Sequence, residues 1–172
     1  MQKELLTNSP AQTKALAKEF ARSLRGGETI CLSGDLGAGK TTFAQALLEA
    51  LGARGPFTSP TFAILKEYEL TPPNSPKTAG KSSLPAVSLS RLRQDKASCP
   101  LAAIYHIDAY RINAMDLFAL GFGDFAGKPH VVTIVEWPEN VENALPADAL
   151  RLKFEWLDKT KRRITFPPFS SS

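Results

Sequence analysis

Gly34-Asp35-Leu36-Gly37-Ala38-Gly39-Lys40-Thr41 decides the fold. It fits G-x-x-x-x-G-K-[ST] at every fixed position. A strand-like run, Glu28-Thr29-Ile30-Cys31-Leu32-Ser33, precedes it, and a helix-like run from Phe43 to Leu51 follows. That strand–loop–helix context separates a phosphate loop from a chance match. Glycines let the backbone wrap closely around a polyphosphate. Successive N–H groups then form an anion nest, backed by the positive end of the following helix. Gly37, Ala38, Gly39, Lys40, Thr41 and Thr42 are the expected nucleotide-binding residues. Lys40 supplies a mobile charge for the β- and γ-phosphates, and the Thr41 hydroxyl suits Mg²⁺.

Outward from the loop, the pattern alternates between helix and strand signals. Pro10 to Leu24 reads as a helix capped by Ser9, with Leu16, Phe20 and Leu24 on one face and Gly26-Gly27 beyond its end. Lys40 to Leu51 is the loop helix. Thr61 to Leu70 and Ala103 to Asp108 read as strands. Asn113 caps a helix through Leu120, ended by Gly121. Val131 to Val135 is a β-branched apolar run of the kind found in central strands. Leu150 to Trp156 and Arg162 to Phe166 pair as an antiparallel hairpin at the sheet edge. The expected fold is an α/β P-loop NTPase: a mixed, mostly parallel sheet flanked by helices, with the nucleotide at the carboxyl ends of the parallel strands.

At 172 residues with 43% hydrophobic content, the chain is expected to form a single domain, residues 1–172. No apolar run reaches the roughly 18 residues of a membrane span. The N-terminus lacks the apolar stretch of a secretory signal, so a cytoplasmic protein is expected. Cys31 falls in the strand before the loop and reads as a small buried apolar side chain. Cys99 falls in a polar segment, and the spacing of the two thiols makes no metal site. The net charge of +4 points only superficially to nucleic acid. Its whole excess lies in 71–100, where Lys77, Lys81, Arg91, Arg93 and Lys96 face Asp95 alone; the rest of the chain balances. The same segment is rich in proline and serine and poor in large apolar residues. It is expected to be a long surface insertion with little fixed structure, a passive one more readily than a docking site for tRNA or an acidic partner.

A phosphate loop needs carboxylates beside the reacting phosphate. Two strands end in an acid where the sheet meets the loop. One is Ile104-Tyr105-His106-Ile107-Asp108 and the other Val131-Val132-Thr133-Ile134-Val135-Glu136. Asp108 or Glu136 can hold Mg²⁺, directly or through water, or orient the attacking water; spacing leaves the division open. His106 reads as a hydrogen-bonded strand residue before a catalyst. Arg111 reads as an ion-pair or subunit contact before an arginine finger, and Trp137 as packing or a contact beside the site. Ser59 and Thr61, in Ser59-Pro60-Thr61-Phe62, occupy the place of a γ-phosphate sensor, or of a simple proline turn.

Taken together, Gly34 to Thr42, Ser59-Pro60-Thr61-Phe62, Tyr68, His106-Ile107-Asp108-Ala109-Tyr110-Arg111, Leu120-Gly121 and Glu136-Trp137-Pro138-Glu139 resemble the bacterial TsaE (YjeE) ATPases. The resemblance spans nearly the whole chain outside the insertion and the last few residues. It implies ATP and Mg²⁺ as ligands, Thr41 and Glu136 as metal partners, and Asp108 as a catalytic acid near the γ-phosphate, with Lys40 and the loop amides on the phosphates. It also implies a border to the adenine around Ser9 to Thr13. The implied role is accessory: ATP hydrolysis supporting threonylcarbamoyladenosine formation in tRNA, beside the transferase TsaD and its partner TsaB, with tRNA reached only through that complex. Two other classes stay open on the residues alone. One is a small-molecule kinase, though little chain is left for an acceptor lid. The other is a nucleotide-gated binding module with negligible hydrolysis of its own. A GTPase is disfavoured, because no Asn-Lys-x-Asp base-reading motif is present.

Overall fold

A computed structural model describes residues 3–57, 60, 63–70 and 101–167. The expected insertion at 71–100, Cys99, and the proposed sensor residues Ser59 and Thr61 lie outside the described residues.

The described elements run β1 (Lys3–Thr7), α1 (Pro10–Ala21), β2 (Thr29–Gly34), α2 (Lys40–Ala50), β3 (Leu65–Glu69), β4 (Ala103–Asp108), α3 (Ala114–Ala119), α4 (Phe122–Phe125), β5 (Val131–Glu136), β6 (Leu150–Trp156) and β7 (Arg162–Phe166). Short 3₁₀ turns occupy Ala109–Arg111, Pro138–Asn140 and Glu142–Ala144. Local chemistry explains the helix starts. Ser9 Oγ accepts from the Gln12 amide at 3.3 Å, and Pro10 pre-sets the first turn. Asn113 caps α3 through the Met115 and Asp116 amides, while the Asp116 carboxylate accepts in return from the Asn113 amide.

The seven strands form one sheet in the order β1-β7-β6-β2-β5-β4-β3. β6, β2, β5 and β4 are mutually parallel, whereas β1–β7, β7–β6 and β3–β4 are antiparallel. The mixed sheet is as expected, with its parallel pairs confined to the centre. Two details correct the sequence reading. The C-terminal hairpin is not the edge, because Lys3–Thr7 adds an outer strand on β7. A single five-residue strand whose exposed face carries apolar Leu6 beside Glu4 gives little alternation signal. The strand expected from Thr61 begins only at Leu65. Before it, Ile64 takes a left-handed φ of 61°, and the amides of Ala63 and Ile64 both turn back to the Pro60 carbonyl.

Two cores flank the sheet. Ile30, Leu32, Ile104, Val132, Ile134, Leu152 and Phe154 face α1 and α2. There Phe43 meets Phe154 edge-on at 5.4 Å and Phe20 at 5.9 Å. Ile107 and Val135 face the other way, onto Leu117, Phe122 and Phe125 of α3 and α4. Cys31 is buried, and burial pushes its thiol up to about 12. Among the described residues, no helix is long and apolar enough to cross a membrane.

Candidate functional site

The parallel strands β2, β4 and β5 end on one side of the sheet. There the turn after β2, the last residues of β4 and β5, and the start of α2 enclose a cleft of about 270 Å³. Gly34 makes the first bend at φ +128°, where a Cβ would come within 2.1 Å of the Phe154 carbonyl oxygen. Only glycine fits such a close backbone approach. Gly39, left-handed at φ 101°, serves as the N-cap of α2 and offers no side-chain cap. The first-turn amides of α2 are thereby left for an anion, and the helix dipole adds to the attraction.

Lys40 is buried despite its charge. Its Nζ donates to the carbonyls of Gly34 and Asp35, the latter at 2.9 Å, and sits 3.7 Å from the centre of the Trp137 ring. Burial pushes the ammonium below the usual lysine range, against the opposing pull of Glu136, Glu139, Asp35 and Asp108. A partly desolvated cation over an aromatic face is strongly attractive to phosphate.

Strand pairing brings the two acids together: Asp108 lies directly opposite Glu136 across β4 and β5. Both are buried, at 6% and 2% exposure. Glu136 Oε2 accepts the Thr41 hydroxyl at 2.8 Å. Its Oε1 lies 2.9 Å from His106 Nε2. Asp108 Oδ1 accepts from the Tyr110 amide at 3.0 Å, capping the 3₁₀ turn that follows β4.

Of the sequence-predicted residues, Gly37, Gly39, Lys40, Thr41, Thr42, Asp108, Glu136 and Trp137 line this one cleft. Ala38 is fully buried, with its amide bonded to Asp35. Trp137 takes a left-handed φ of 60°, which swings its ring over Lys40 and against Tyr110 at 4.9 Å. Sequence reasoning missed Tyr110 and Leu36 as lining residues. It set Arg111 as an ion-pair or subunit contact ahead of an arginine finger; Arg111 lines the cleft. Asn140 was missed as well. Its amide donates to the carbonyls of Ala109 and Tyr110 at 3.0 and 3.3 Å, tying the turn after β5 to the turn after β4. No short motif marks Asn140. By contrast, the two-residue period of His106-Ile107-Asp108 does place His106 on the Asp108 side of the strand.

The donor set fits a magnesium–nucleotide complex. Among the described residues, no cluster of three or more His, Cys, Asp or Glu forms a metal cage. Mg²⁺ at a triphosphate needs no cage, since one or two protein oxygens suffice beside phosphate and water. The Thr41 hydroxyl and the Glu136 carboxylate are such a pair. A second, smaller cleft of about 80 Å³ shares Gly37, Gly39 and Thr42 with the first. Ser9, Pro10, Thr13, Lys159, Thr160 and Arg162 complete it.

Known proteins resemble this chain along most of its length. The family model described as "Threonylcarbamoyl adenosine biosynthesis protein TsaE" matches residues 7–79 and 85–164. The tRNA threonylcarbamoyladenosine biosynthesis protein TsaE of Aquifex aeolicus is 35% identical, covering 94% of this chain and 93% of that protein. Its counterpart from Bacillus subtilis is 34% identical, covering 93% of this chain and 82% of that protein. The crystal structure of Bacillus subtilis YdiB superposes with a TM-score of 0.64 at 30% identity, over 96% of this chain and 84% of that one. With its phosphate loop, its paired strand-end acids and a family match along nearly its full length, this chain belongs to the TsaE family.

Proposed function

We propose that this protein hydrolyses ATP in the cytoplasm as an accessory to threonylcarbamoyladenosine formation in tRNA, working with TsaD and TsaB rather than transferring the threonylcarbamoyl group itself. One observation carries the reading: the Thr41 hydroxyl at the head of α2 meets the Glu136 carboxylate at the end of β5 at 2.8 Å, beside the glycine loop. The names of the family and of its relatives supply the tRNA modification.

The chain's residues divide the work. The amides of Gly37 and of Gly39 to Thr42, with the Lys40 ammonium, hold the β- and γ-phosphates and oppose the charge that grows in transfer. Thr41 and Glu136 would hold Mg²⁺, which neutralises phosphate charge when bound. With Glu136 assigned to the metal beside Thr41, Asp108, opposite it across β4 and β5, is assigned to the water. It orients the water for in-line attack: a new oxygen–phosphorus bond forms as the bond to the ADP oxygen breaks, and the water's proton passes to the released phosphate. The smaller cleft continues from the loop toward Ser9 and Thr13 and is assigned to the adenosine end.

The test is incubation with γ-labelled ATP and Mg²⁺, with and without TsaD–TsaB and with candidate small acceptors. Free labelled phosphate, rising when the partners are present, supports the proposal. A labelled acceptor overturns it in favour of a kinase. Reconstituted tRNA modification that proceeds equally well without this protein removes the accessory role. A nucleotide-gated binding module has one observation in its favour: Lys40 Nζ ties the loop through the Gly34 and Asp35 carbonyls with two of its three donors, so a phosphate that draws more than one of them reshapes the loop. Association with the partners that follows Mg-ATP, with no phosphate released, would select that reading.

A further inference from the structure

His106 is fully buried on β4, on the same side of the strand as Asp108. Its Nε2 lies 2.9 Å from Glu136 Oε1. In this contact the ring N–H donates and the carboxylate oxygen accepts. The other ring nitrogen, Nδ1, is buried with no hydrogen-bond partner among the described residues. Leaving a polar atom in that condition costs free energy. An apolar side chain would fill the same space without the penalty. What the imidazole gains in return is the contact with Glu136, whose other oxygen faces Thr41 at 2.8 Å. The ring is locked in a central strand, so it fixes the carboxylate's rotation and with it the direction of Oε2.

We propose that His106 is a positioning residue that holds Glu136 with its second oxygen turned to Thr41, and so sets the affinity of the cleft for Mg²⁺ presented with a nucleotide. The inference rests on the reading of this cleft as a magnesium–nucleotide site. It differs from a packing role in what it predicts for the metal alone.

Calorimetric titration of ADP, in EDTA and across a Mg²⁺ series, tests it on the wild type, His106→Leu and His106→Gln. In EDTA the three should bind ADP within about twofold of one another. With metal, the Mg²⁺ midpoint of His106→Leu should rise about 10- to 100-fold, the usual effect of losing a residue that orients a ligand. His106→Gln keeps a donor near the Nε2 position and should recover most of the loss. An unchanged midpoint in His106→Leu, or a Gln variant as poor as Leu, overturns the inference while leaving the nucleotide site standing. A wild type that binds ADP with no response to Mg²⁺ removes the underlying reading and the inference together. Should His106→Leu fail to fold, the comparison moves to His106→Gln and His106→Asn, whose shorter amide cannot reach Glu136; equal midpoints in those two overturn it.

Discussion

The phosphate loop and the strand-end acids face each other across one cleft, but different physics builds them. The loop is contiguous in sequence, and its shape follows from glycine φ values and the head of α2. The acids are 28 positions apart in number, 108 and 136, and meet because β4 and β5 pair in one register. They are then held by groups from elsewhere: Thr41 on Glu136, His106 on Glu136, and Asn140 on the turn after Asp108. The contrast teaches that the grip on phosphate is a local property, whereas the chemistry depends on the sheet.

Gly34 puts that contrast under the greatest strain, because its backbone is pressed against that of a strand distant in sequence. Gly34→Ala forces a Cβ into the Phe154 carbonyl at positive φ, and denaturation should show a loss of about 4 kcal/mol or more. Gly39→Ala meets nothing within 4 Å and should cost only the strain of its φ, about 1–3 kcal/mol. Equal losses would mean that the loop is as dependent on the sheet as the acids are.

The next effect separates chemistry from grip. Asp108→Ala should lower hydrolysis by about 10²- to 10⁴-fold with nucleotide affinity nearly unchanged. Lys40→Ala should instead weaken nucleotide binding by about 10- to 100-fold, the worth of a charge-assisted hydrogen bond. Single-turnover rates and equilibrium binding on both variants would show whether the two faces are functionally distinct. If both variants lose only affinity, the division is wrong.

A smaller effect is in pH. Burial holds the Lys40 ammonium below the usual lysine range, so its charge is lost at lower pH than in a free lysine. Neutral lysine does not attract phosphate, so nucleotide affinity should fall as pH rises, beginning below the ordinary lysine value. Linkage requires bound nucleotide to raise the Lys40 pKa in return. The same titration on Lys40→Met should be weak and flat over that range. Asn140→Ala is the mildest change: it should cost about 1 kcal/mol of stability and lower turnover slightly by loosening the turn that carries Asp108. A stability change without any effect on turnover would show that the acids need only the strand register, not the tie between turns.

Particular residues show where the sequence was readable. Gly34 to Thr41, the Ser9 and Asn113 caps, and the β-branched run from Val131 all carry local signals of turn, helix start or buried strand, and each falls where it was expected. The apolar strands that end in Asp108 and Glu136 could be read for the same reason. β1 was missed because Lys3–Thr7 is one short strand whose role exists only through its pairing with β7. The late start of β3 at Leu65 was missed because Ile64 takes a backbone conformation unusual for a β-branched residue.

The sequence by itself determined that a backbone nest followed by a lysine and a threonine would open a helix at the end of a strand, and that two further strands would end in acids. Those are consequences of neighbouring residues, since turn chemistry and side-chain period act over a few positions. Only the tertiary structure decided that Asp108 would lie opposite Glu136, that His106 and Thr41 would clasp the same carboxylate from two sides, and that Trp137 would roof Lys40. Such contacts join segments separated by tens of residues, and they are set by strand register and packing of the whole sheet, which no local pattern encodes.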